Sequence, residues 1–308
     1  MPKAIAFAEF GSPDVLHMQE TQIPMPGPGQ VRIAVRVAGV NALDHKIRAG
    51  LMNQVFPVTL PHVPGVEASG VIEALGQGVQ GFSVGDPVFG QTVTGSYAEL
   101  ALADASRVVH KPDSVSWEQA AALPVADETA YRALEMLRLQ PGETVLIHAA
   151  AGAVGGVAVQ LAVARGLTVV GTASEANHAH LRALGAIPVT YGDGLVDRVR
   201  AAAPKGIDAA LDAAGRGGAV EASIELTGGT DRVVTIADAP GAAEHGVRFT
   251  SGGADEYRGG PAFAEALDLL AAGKLVLPVY RVFPLAEAAE AQRVSEGGHA
   301  VGKLLLAV

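Results

Sequence analysis

Apolar and polar residues alternate over short runs in the first third of the chain. The alternating run is Val31–Val40, and Val71–Leu75 and Asp86–Val93 are further short strand candidates with glycine turns between them. A period of two, with turn residues between the runs, predicts short β-strands. Short strands at such close spacing predict a small barrel or sandwich.

The pattern changes near Ser114, where helical and strand patterns begin to alternate. Ser116 followed by Gln119 is a capping box, which predicts that a helix begins there. The elements predicted after it are strands at Thr144–His148, Leu167–Thr172, Ile187–Thr190, Ile207–Asp212 and Arg232–Ala237, with helices at Gly155–Ala164 and Ala176–Leu184. This alternation predicts a parallel, doubly wound sheet with right-handed crossovers.

The end of the chain returns to strands. Pro261 can occupy the first position of a helix that ends before Gly273. The apolar runs Val276–Phe283 and Lys303–Val308 then predict two closing strands. The fold class is therefore α/β, with a barrel at the two ends of the chain and a doubly wound sheet between them.

Composition bounds the number of domains and the compartment. A length of 308 residues suggests about two domains, and the pattern places them at 1–118 with 257–308 and at 119–256. The chain has no cysteine, which excludes disulfides, thiolate catalysis and cysteine-ligated zinc. Because a reducing compartment fits such a chain, we expect a cytoplasmic protein.

Charge and hydropathy argue against two classes of partner. The formal net charge is −10 at pH 7 and the chain has no basic block, so we expect no nucleic-acid partner. Met1–Phe10 lacks the long apolar core of a secretory signal. The longest apolar stretch, near Val154–Ala164, is too short to span a bilayer, so we expect no membrane partner.

The segment His148–Gly156 carries the most informative single motif. Its sequence, HAAAGAVGG, follows a predicted strand and opens a predicted helix, and Ala150, Gly152 and Gly155 occupy the glycine positions of G-x-G-x-x-G. In a dinucleotide site, Gly152 lets the backbone approach the pyrophosphate, and Gly155 lets the helix pack on the sheet. The alternative is a tight strand-to-helix turn of any α/β fold.

Six segments spread over almost the whole chain add to this motif. They are Val40–Gly50, Pro64–Glu73, Gly95–Glu99, Leu123–Leu134, Ala149–Gly156 and Val301–Leu304. In this order the chain resembles the medium-chain dehydrogenase/reductases, and among them the zinc-free quinone oxidoreductase (zeta-crystallin-like) group. The resemblance implies an N-terminal GroES-like β-barrel, a Rossmann domain, a C-terminal return to the barrel domain and a nicotinamide cofactor in the cleft between the domains.

The zinc-dependent branch of this family differs at its metal ligands. Its three ligand positions correspond to Asn41, Val66 and Val125 here, and a catalytic zinc needs about three protein ligands. His45, His62 and Glu67 are the remaining combination that could be assembled on paper, but the two histidines are more simply surface or loop residues. We therefore expect no metal.

The resemblance also implies which residues act in the reaction. Asn41, which we expect in an exposed loop, matches the family residue nearest the nicotinamide, and its amide can donate to an acceptor oxygen that gains negative charge. Asp44 matches an acidic position that holds this loop, or it is a loop-capping aspartate. Tyr97 is a candidate proton donor, or it packs at a strand end with its hydroxyl satisfied. Glu67 is expected to be structural and Trp117 to be a packing residue.

The implied cofactor contacts lie mainly in the second domain. Thr129 matches a contact to the nicotinamide side of the cofactor, and the alternative is a threonine in the first turns of a helix. The full predicted set is Asn41, Thr129, Gly152, Ala153, Val154, Gly155, Ser174, Asn177, His178, Tyr191 and Ala237.

The end of the second strand of this domain predicts NADPH as the cofactor. An NAD-preferring Rossmann fold places an acid about 20 residues after the glycine motif, where this chain has Ala173. Ser174 can donate to the 2′-phosphate, and Tyr191 matches a family contact to that phosphate. Glu175 departs from the family pattern, in which a basic residue often follows the serine. The alternative is that Ser174–His178 is only a helix start.

These expectations describe a metal-free, NADPH-dependent reductase of a small-molecule acceptor, either a quinone or an α,β-unsaturated carbonyl compound. The resemblance also implies a homodimer, and the apolar strand near Val276–Val282 could pair edge to edge. Two alternatives remain: an NADPH-binding structural or sensing protein with little turnover, and a zinc-type alcohol dehydrogenase.

Overall fold

The change of pattern near Ser114 corresponds to a change of architecture in the computed structural model, which describes residues 1–53, 55–298 and 300–308. The chain forms two compact units, one of Met1–Val125 with Leu277–Val308 and one of Ala126–Val276. The predicted domains, 1–118 with 257–308 and 119–256, divide the chain differently near residue 257 and stay a prediction.

The first unit is built mainly from strands. Its N-terminal part contains β1 (Lys3–Ala6), β2 (His17–Glu20), β3 (Gln30–Val40), α1 (Ala42–Arg48), β4 (Glu67–Leu75), β5 (Pro87–Gln91), β6 (Leu100–Asp104) and β7 (Val108–His110). Helix α2 (Trp117–Leu137) follows. The predicted capping box at its start is confirmed, because Ser116 Oγ accepts from the Gln119 N–H at 3.2 Å and Gln119 Oε1 accepts from the Ser116 N–H at 3.0 Å.

The second unit alternates strands and helices. It contains β8 (Thr144–His148), α3 (Ala153–Ala164), β9 (Thr168–Ala173), α4 (His178–Ala183), β10 (Ile187–Thr190), α5 (Leu195–Ala202), β11 (Ala209–Asp212), α6 (Ala219–Thr227), β12 (Val233–Thr235), α7 (Ala239–His245), β13 (Arg248–Phe249) and α8 (Gly259–Ala271). The chain then returns to the first unit with β14 (Val279–Pro284), α9 (Ala288–Gly297) and β15 (Lys303–Ala307).

Strand β3 organises the sheet of the first unit. The order is β14-β15-β3-β4-β5-β7, and β6 also pairs with β3. The side chains of Val31, Ile33, Val35 and Val37 are all buried, as the predicted period of two requires. Because β6 pairs with the first half of β3 and β15 with its second half, the C-terminal end of β3 lies beside the last strand of the chain.

Strand β4 begins earlier than the sequence predicts, at Glu67 rather than at Val71. Gly70 interrupts the apolar pattern of this strand, and packing explains why a glycine is present. A Cβ at Gly70 would lie 2.2 Å from the Ala34 carbonyl oxygen of β3, so only glycine allows the two backbones to approach there. Helix α8 likewise begins at Gly259 rather than at Pro261.

The second unit has a single parallel sheet in the order β10-β9-β8-β11-β12-β13. Counted from β8, this is the order 3-2-1-4-5-6 of the Rossmann fold, which confirms the predicted doubly wound sheet. Its core contains Leu146, Val170, Ala210 and Val233 from four neighbouring strands. None of the helices in the described ranges is long and apolar enough to cross a membrane.

Candidate active site and cofactor site

Three polar side chains of the first unit meet at neighbouring strand ends. Asn41 follows β3 directly, Glu67 begins β4 and Lys303 begins β15. Leu304 is paired with Val40 and Ala68 with Ala38, so antiparallel pairing places Lys303 and Glu67 on either side of the end of β3.

Hydrogen bonds join these three side chains. Asn41 Nδ2 donates to Glu67 Oε1 at 2.8 Å, and Lys303 Nζ donates to Asn41 Oδ1 at 2.6 Å. Lys303 also forms an ion pair with Glu67. The other carboxylate oxygen of Glu67 accepts from the Val125 N–H at 2.7 Å. Glu67 and Lys303 are buried, while Asn41 is half-buried, so the expectation that Asn41 is an exposed loop amide is wrong.

Asp44 and Tyr97 extend this cluster. Asp44 Oδ2 accepts from the Tyr97 hydroxyl at 2.9 Å and from the Asn41 N–H at 2.8 Å. Burial raises the pKa of Asp44 to about 7, although the Asn41 N–H and the Tyr97 hydroxyl lower it in part. The pKa of Tyr97 is raised well above its usual value by burial and by Asp44. The structure thus brings the three residues predicted to be catalytic into one hydrogen-bonded network.

The surroundings of Tyr97 favour the packing interpretation over that of a proton donor. Its side chain is fully buried, and its hydroxyl hydrogen is held by Asp44. A raised pKa also makes the release of this proton unfavourable near neutral pH. The role of proton donor stays a prediction.

Sequence reasoning missed Lys303 and assigned Glu67 a merely structural role. Both lie inside segments that carry the family resemblance. A lysine at the start of the apolar run Lys303–Val308 was the available signal, because a lysine is almost never fully buried unless it is paired. Gly39 was a second signal, since a Cβ there would lie 2.1 Å from Glu67 Oε1.

The glycine motif of the second unit lies between β8 and α3, as predicted. A Cβ at Gly155 would lie 2.3 Å from the Ala149 carbonyl oxygen, whereas a Cβ at Gly152 would come no closer than 3.3 Å to any heavy atom. Gly155 is therefore required for packing of the turn, whereas a Cβ at Gly152 would make one tight contact, with the Ala149 carbonyl oxygen. Gly156 N–H donates to Gly152 O at 2.8 Å, so the N–H groups of Ala153, Val154 and Gly155 precede the first intrahelical bond.

This turn lies where the strand order reverses. Strand β8 is flanked by β9 and β11, and ligands of open α/β sheets bind at such a switch point. The loops after β11 and β12 meet at the same edge, because a Cβ at Gly215 would lie 2.6 Å from the Ala237 carbonyl oxygen. Ala237 thus lies at the carboxyl edge of the sheet, and its contact to the cofactor stays a prediction.

Buried polar groups hold this edge of the sheet. His148 Nε2 lies 3.0 Å from Ser223 Oγ, and burial lowers the pKa of His148 to about 4, although Asp212 raises it in part. The imidazole is therefore neutral at pH 7. Asp212 Oδ2 accepts from Thr235 Oγ1 at 2.7 Å, and Asp212 Oδ1 accepts from the Ala214 N–H at 2.8 Å.

The residues predicted to bind the 2′-phosphate follow two adjacent strands. Strand β9 ends at Ala173, one residue beyond the predicted strand Leu167–Thr172, and Ala173 is paired with Thr190, the last residue of β10. Ser174 and Tyr191 therefore begin neighbouring loops. His178 Nε2 lies 3.3 Å from Thr190 Oγ1. Two other side chains predicted to bind the phosphate, Ser174 and Asn177, are half-buried. Tyr191 is exposed, as is Glu175, which departs from the family pattern.

Thr129 lies in α2 beside a buried ion pair. Arg132 Nε donates to Glu128 Oε1 at 2.9 Å, and Arg132 Nη2 lies 3.5 Å from Thr129 Oγ1. In the part of the chain that the structure describes, no hydrogen bond joins Thr129 to the glycine-rich turn. Its predicted contact to the cofactor stays a prediction.

His45, His62 and Glu67, the three side chains considered as an alternative set of metal ligands, each contact different residues. His45 Nδ1 lies 3.2 Å from Ser295 Oγ, and the His62 ring contacts Phe7 at a centroid distance of 5.4 Å. Glu67 is bound by Asn41 and Lys303. Across residues 1–53, 55–298 and 300–308, no group of three or more histidine, aspartate or glutamate side chains could hold a metal ion.

Two family models match the chain along most of its length. The alcohol dehydrogenase GroES-like domain matches residues 27–113, within the first unit. The zinc-binding dehydrogenase model matches residues 184–306. The GroES-like part of the predicted fold class is thereby confirmed, alongside the parallel sheet of the second unit.

Known proteins resemble the chain in sequence and in fold. The synaptic vesicle membrane protein VAT-1 homolog of Rattus norvegicus is 36% identical over 219 residues, which are 69% of this chain and 54% of that protein. The chain spans about half the length of the curated relatives it matches.

Solved structures match the whole chain. The quinone oxidoreductase from Coxiella burnetii is 32% identical, has a TM-score of 0.86 and covers 100% of this chain and 99% of its own. A mycobacterial protein solved in complex with NADPH is 30% identical, has a TM-score of 0.88 and covers 100% of both chains. The chain therefore belongs to the medium-chain dehydrogenase/reductase superfamily, in its quinone oxidoreductase group.

Proposed function

We propose that the protein is an NADPH-dependent oxidoreductase that transfers a hydride to a quinone or an α,β-unsaturated carbonyl acceptor without a metal ion. The observation that carries the proposal is the open N-terminus of α3 at the switch point of a Rossmann-order sheet. Support also comes from the mycobacterial relative in complex with NADPH. The cytoplasm as compartment rests on the absence of cysteine and belongs to the same proposal.

The second unit supplies the groups that would hold the dinucleotide. The N–H groups of Ala153, Val154 and Gly155, which precede the first intrahelical bond, would bind a pyrophosphate at the positive end of α3. Gly152, which has no side chain, would let the phosphate approach the backbone. Ala173 carries no charge that would repel a 2′-phosphate. The other proposed contacts are Ser174, Asn177, His178 and Tyr191 at the 2′-phosphate, Thr129 on the nicotinamide side, and Ala237 at the carboxyl edge of the sheet.

The first unit supplies the groups that act on the acceptor. When bound, the nicotinamide provides the hydride. The Asn41 amide donates a hydrogen bond to the acceptor oxygen as that oxygen gains negative charge, which lowers the barrier. Asp44 holds the Asn41 backbone N–H and thereby fixes the start of α1.

Oxidation of NADPH by the purified chain, measured with a panel of quinones and enones, tests the proposal. We expect turnover with at least one acceptor and no loss of activity after dialysis against EDTA. Binding of NADPH without oxidation by any acceptor would favour a structural or sensing protein instead. Loss of activity on dialysis with recovery on addition of zinc would favour an alcohol dehydrogenase of the zinc type.

A further inference from the structure

The orientation of the Asn41 side chain is set by the charges of its two neighbours. An ammonium group only donates hydrogen bonds, and an ionised carboxylate only accepts them. Lys303 Nζ lies 2.6 Å from Asn41 Oδ1, and Glu67 Oε1 lies 2.8 Å from Asn41 Nδ2. A flipped amide would place two donors together on one side and two acceptors together on the other, so a single orientation is stable.

Burial of the ion pair between Glu67 and Lys303 costs free energy. The side chains of Glu67 and Lys303 are 0% and 4% exposed, and burial of charges costs free energy that their attraction offsets only in part. Apolar side chains of similar volume often stabilise a protein as well or better. Packing alone therefore does not explain why this pair is present. Its hydrogen bonds to Asn41 are the feature that apolar side chains could not reproduce.

The fold makes room for this arrangement. Because a Cβ at Gly39 would overlap the Glu67 carboxylate, glycine is needed there. The second oxygen of Glu67 is held by the Val125 N–H, directly after Pro124, which lies inside α2. One hydrogen of Asn41 Nδ2 is bound to Glu67, and the other has no acceptor among the described residues.

We infer that Lys303 is a positioning residue, which together with Glu67 fixes the Asn41 amide so that its second Nδ2 hydrogen is available to the acceptor oxygen. The inference rests on the proposed function in one respect, the role of Asn41 as donor. The orientation itself is a property of the first unit and can be measured without turnover.

Nuclear magnetic resonance can observe the orientation directly. The chain has three asparagines, Asn41, Asn53 and Asn177, so a protein with 15N-labelled asparagine amides gives three side-chain NH2 signals. The Asn41→Ala variant identifies the signal of Asn41. We expect the two hydrogens of the Asn41 NH2 group to give one pair of sharp cross-peaks in the wild type and in Lys303→Arg, and this pair to shift and broaden in Lys303→Met. The control is Lys3→Met, because Lys3 is exposed in the same unit.

Kinetics then test whether Lys303 acts through Asn41. Loss of a transition-state donor lowers kcat about 100-fold or more, so we expect this loss in Asn41→Ala and a loss of at least about tenfold in Lys303→Met. In the Asn41→Ala background, Lys303→Met should cause no further loss of kcat, and the Kd for NADPH should change less than twofold in Lys303→Met. Lys303→Arg should restore most of the activity.

A purely structural lysine gives different results. An unchanged Asn41 signal in Lys303→Met, or a loss of kcat that is equally large in the Asn41→Ala background, would overturn the inference. If Lys303→Met does not fold, the double variant Glu67→Gln with Lys303→Met removes both charges and permits the same measurements. Absence of turnover in the wild type would refute the proposed function, whereas the amide signals would still test the orientation.

Discussion

Asp44 shows what a single buried carboxyl group costs. It has two donors at one oxygen, and its other oxygen, Oδ1, has no partner among the described residues. Its pKa rises from 3.8 to about 7, so at neutral pH the carboxyl group takes up protons when the chain folds. Folding is therefore penalised above the pKa of the unfolded chain, and the penalty grows until the pH passes the folded pKa near 7.

The Asp44→Asn variant removes this penalty while it keeps an oxygen that can accept from Tyr97. We expect the variant and the wild type to differ little in free energy of unfolding near pH 4. The advantage of the variant should then grow to about 4 kcal/mol above pH 7, which corresponds to a shift of about three pKa units. Urea denaturation at several pH values between 4 and 8.5 measures the difference. Asp113→Asn, at an exposed position, is the control, and an advantage that does not vary with pH would contradict the argument.

The sequence allowed a site residue to be predicted where that residue lies in a local motif. It did not allow this where the residue reaches the site only through the pairing of distant strands. Asn41, Asp44 and Tyr97 came from segments of family resemblance, and the structure joins them in one network. Lys303 contacts Asn41 only because Leu304 is paired with Val40. A contact across so much of the chain depends on strand register, which the local pattern does not contain.

At the scale of elements, predictions succeeded where apolar patterns are pronounced. Strands β8 and β10 have the predicted bounds, because both are short apolar runs between turn residues. Helix α9 was missed. The residues it buries are Ala288, Ala291 and Gln292, two small side chains and a polar one, so the face that packs against the protein has no apolar period that a sequence pattern could reveal.

The end of β9 supports a prediction on cofactor choice. Ala173 is its last residue and is buried, and Ser174 follows it at the edge where Tyr191 begins the adjacent loop. We expect a higher kcat/KM with NADPH than with NADH. Ala173→Asp should reverse the preference, because a carboxylate repels a 2′-phosphate and binds a ribose 2′-hydroxyl.

The measurement is the ratio of kcat/KM for the two cofactors with one acceptor. We expect Ala173→Asp to lower the value for NADPH at least about tenfold, which corresponds to about 1.4 kcal/mol. Ala173→Ser, which adds a small neutral group, is the matched control and should keep the preference. Full activity of Ala173→Asp with NADPH would show that the phosphate is bound elsewhere.

For the whole molecule, the order of patterns along the chain was sufficient to predict the fold class. Strand-rich ends around an alternating middle correspond to the two compact units. The bounds of those units were harder to predict, because α2 continues across the end of the first unit at Val125 and α8 belongs to the second unit. Membership of a helix in a unit depends on its contacts, which a helical period does not reveal.

The exposed edge of the first unit's sheet supports a prediction about the oligomeric state of the protein. Strand β14 ends the sheet of the first unit and is paired there with β15 alone among the described strands. It exposes Tyr280 by 53% and Val282 by 39%. Exposed apolar edge strands tend to pair with another chain, so we predict a homodimer in which β14 pairs with β14 of a second copy.

Light scattering at micromolar concentration should give a mass close to twice the 31.3 kDa of one chain. Val282→Lys places a charge on the edge and should weaken the dimer at least about tenfold, since lysine on an edge strand opposes pairing. Val84→Lys is the matched control, because Val84 is 64% exposed elsewhere in the first unit, and it should leave the mass unchanged. A wild-type mass near 31.3 kDa would refute the dimer. A Val282→Lys variant that remains as dimeric as the wild type would instead place the interface away from β14.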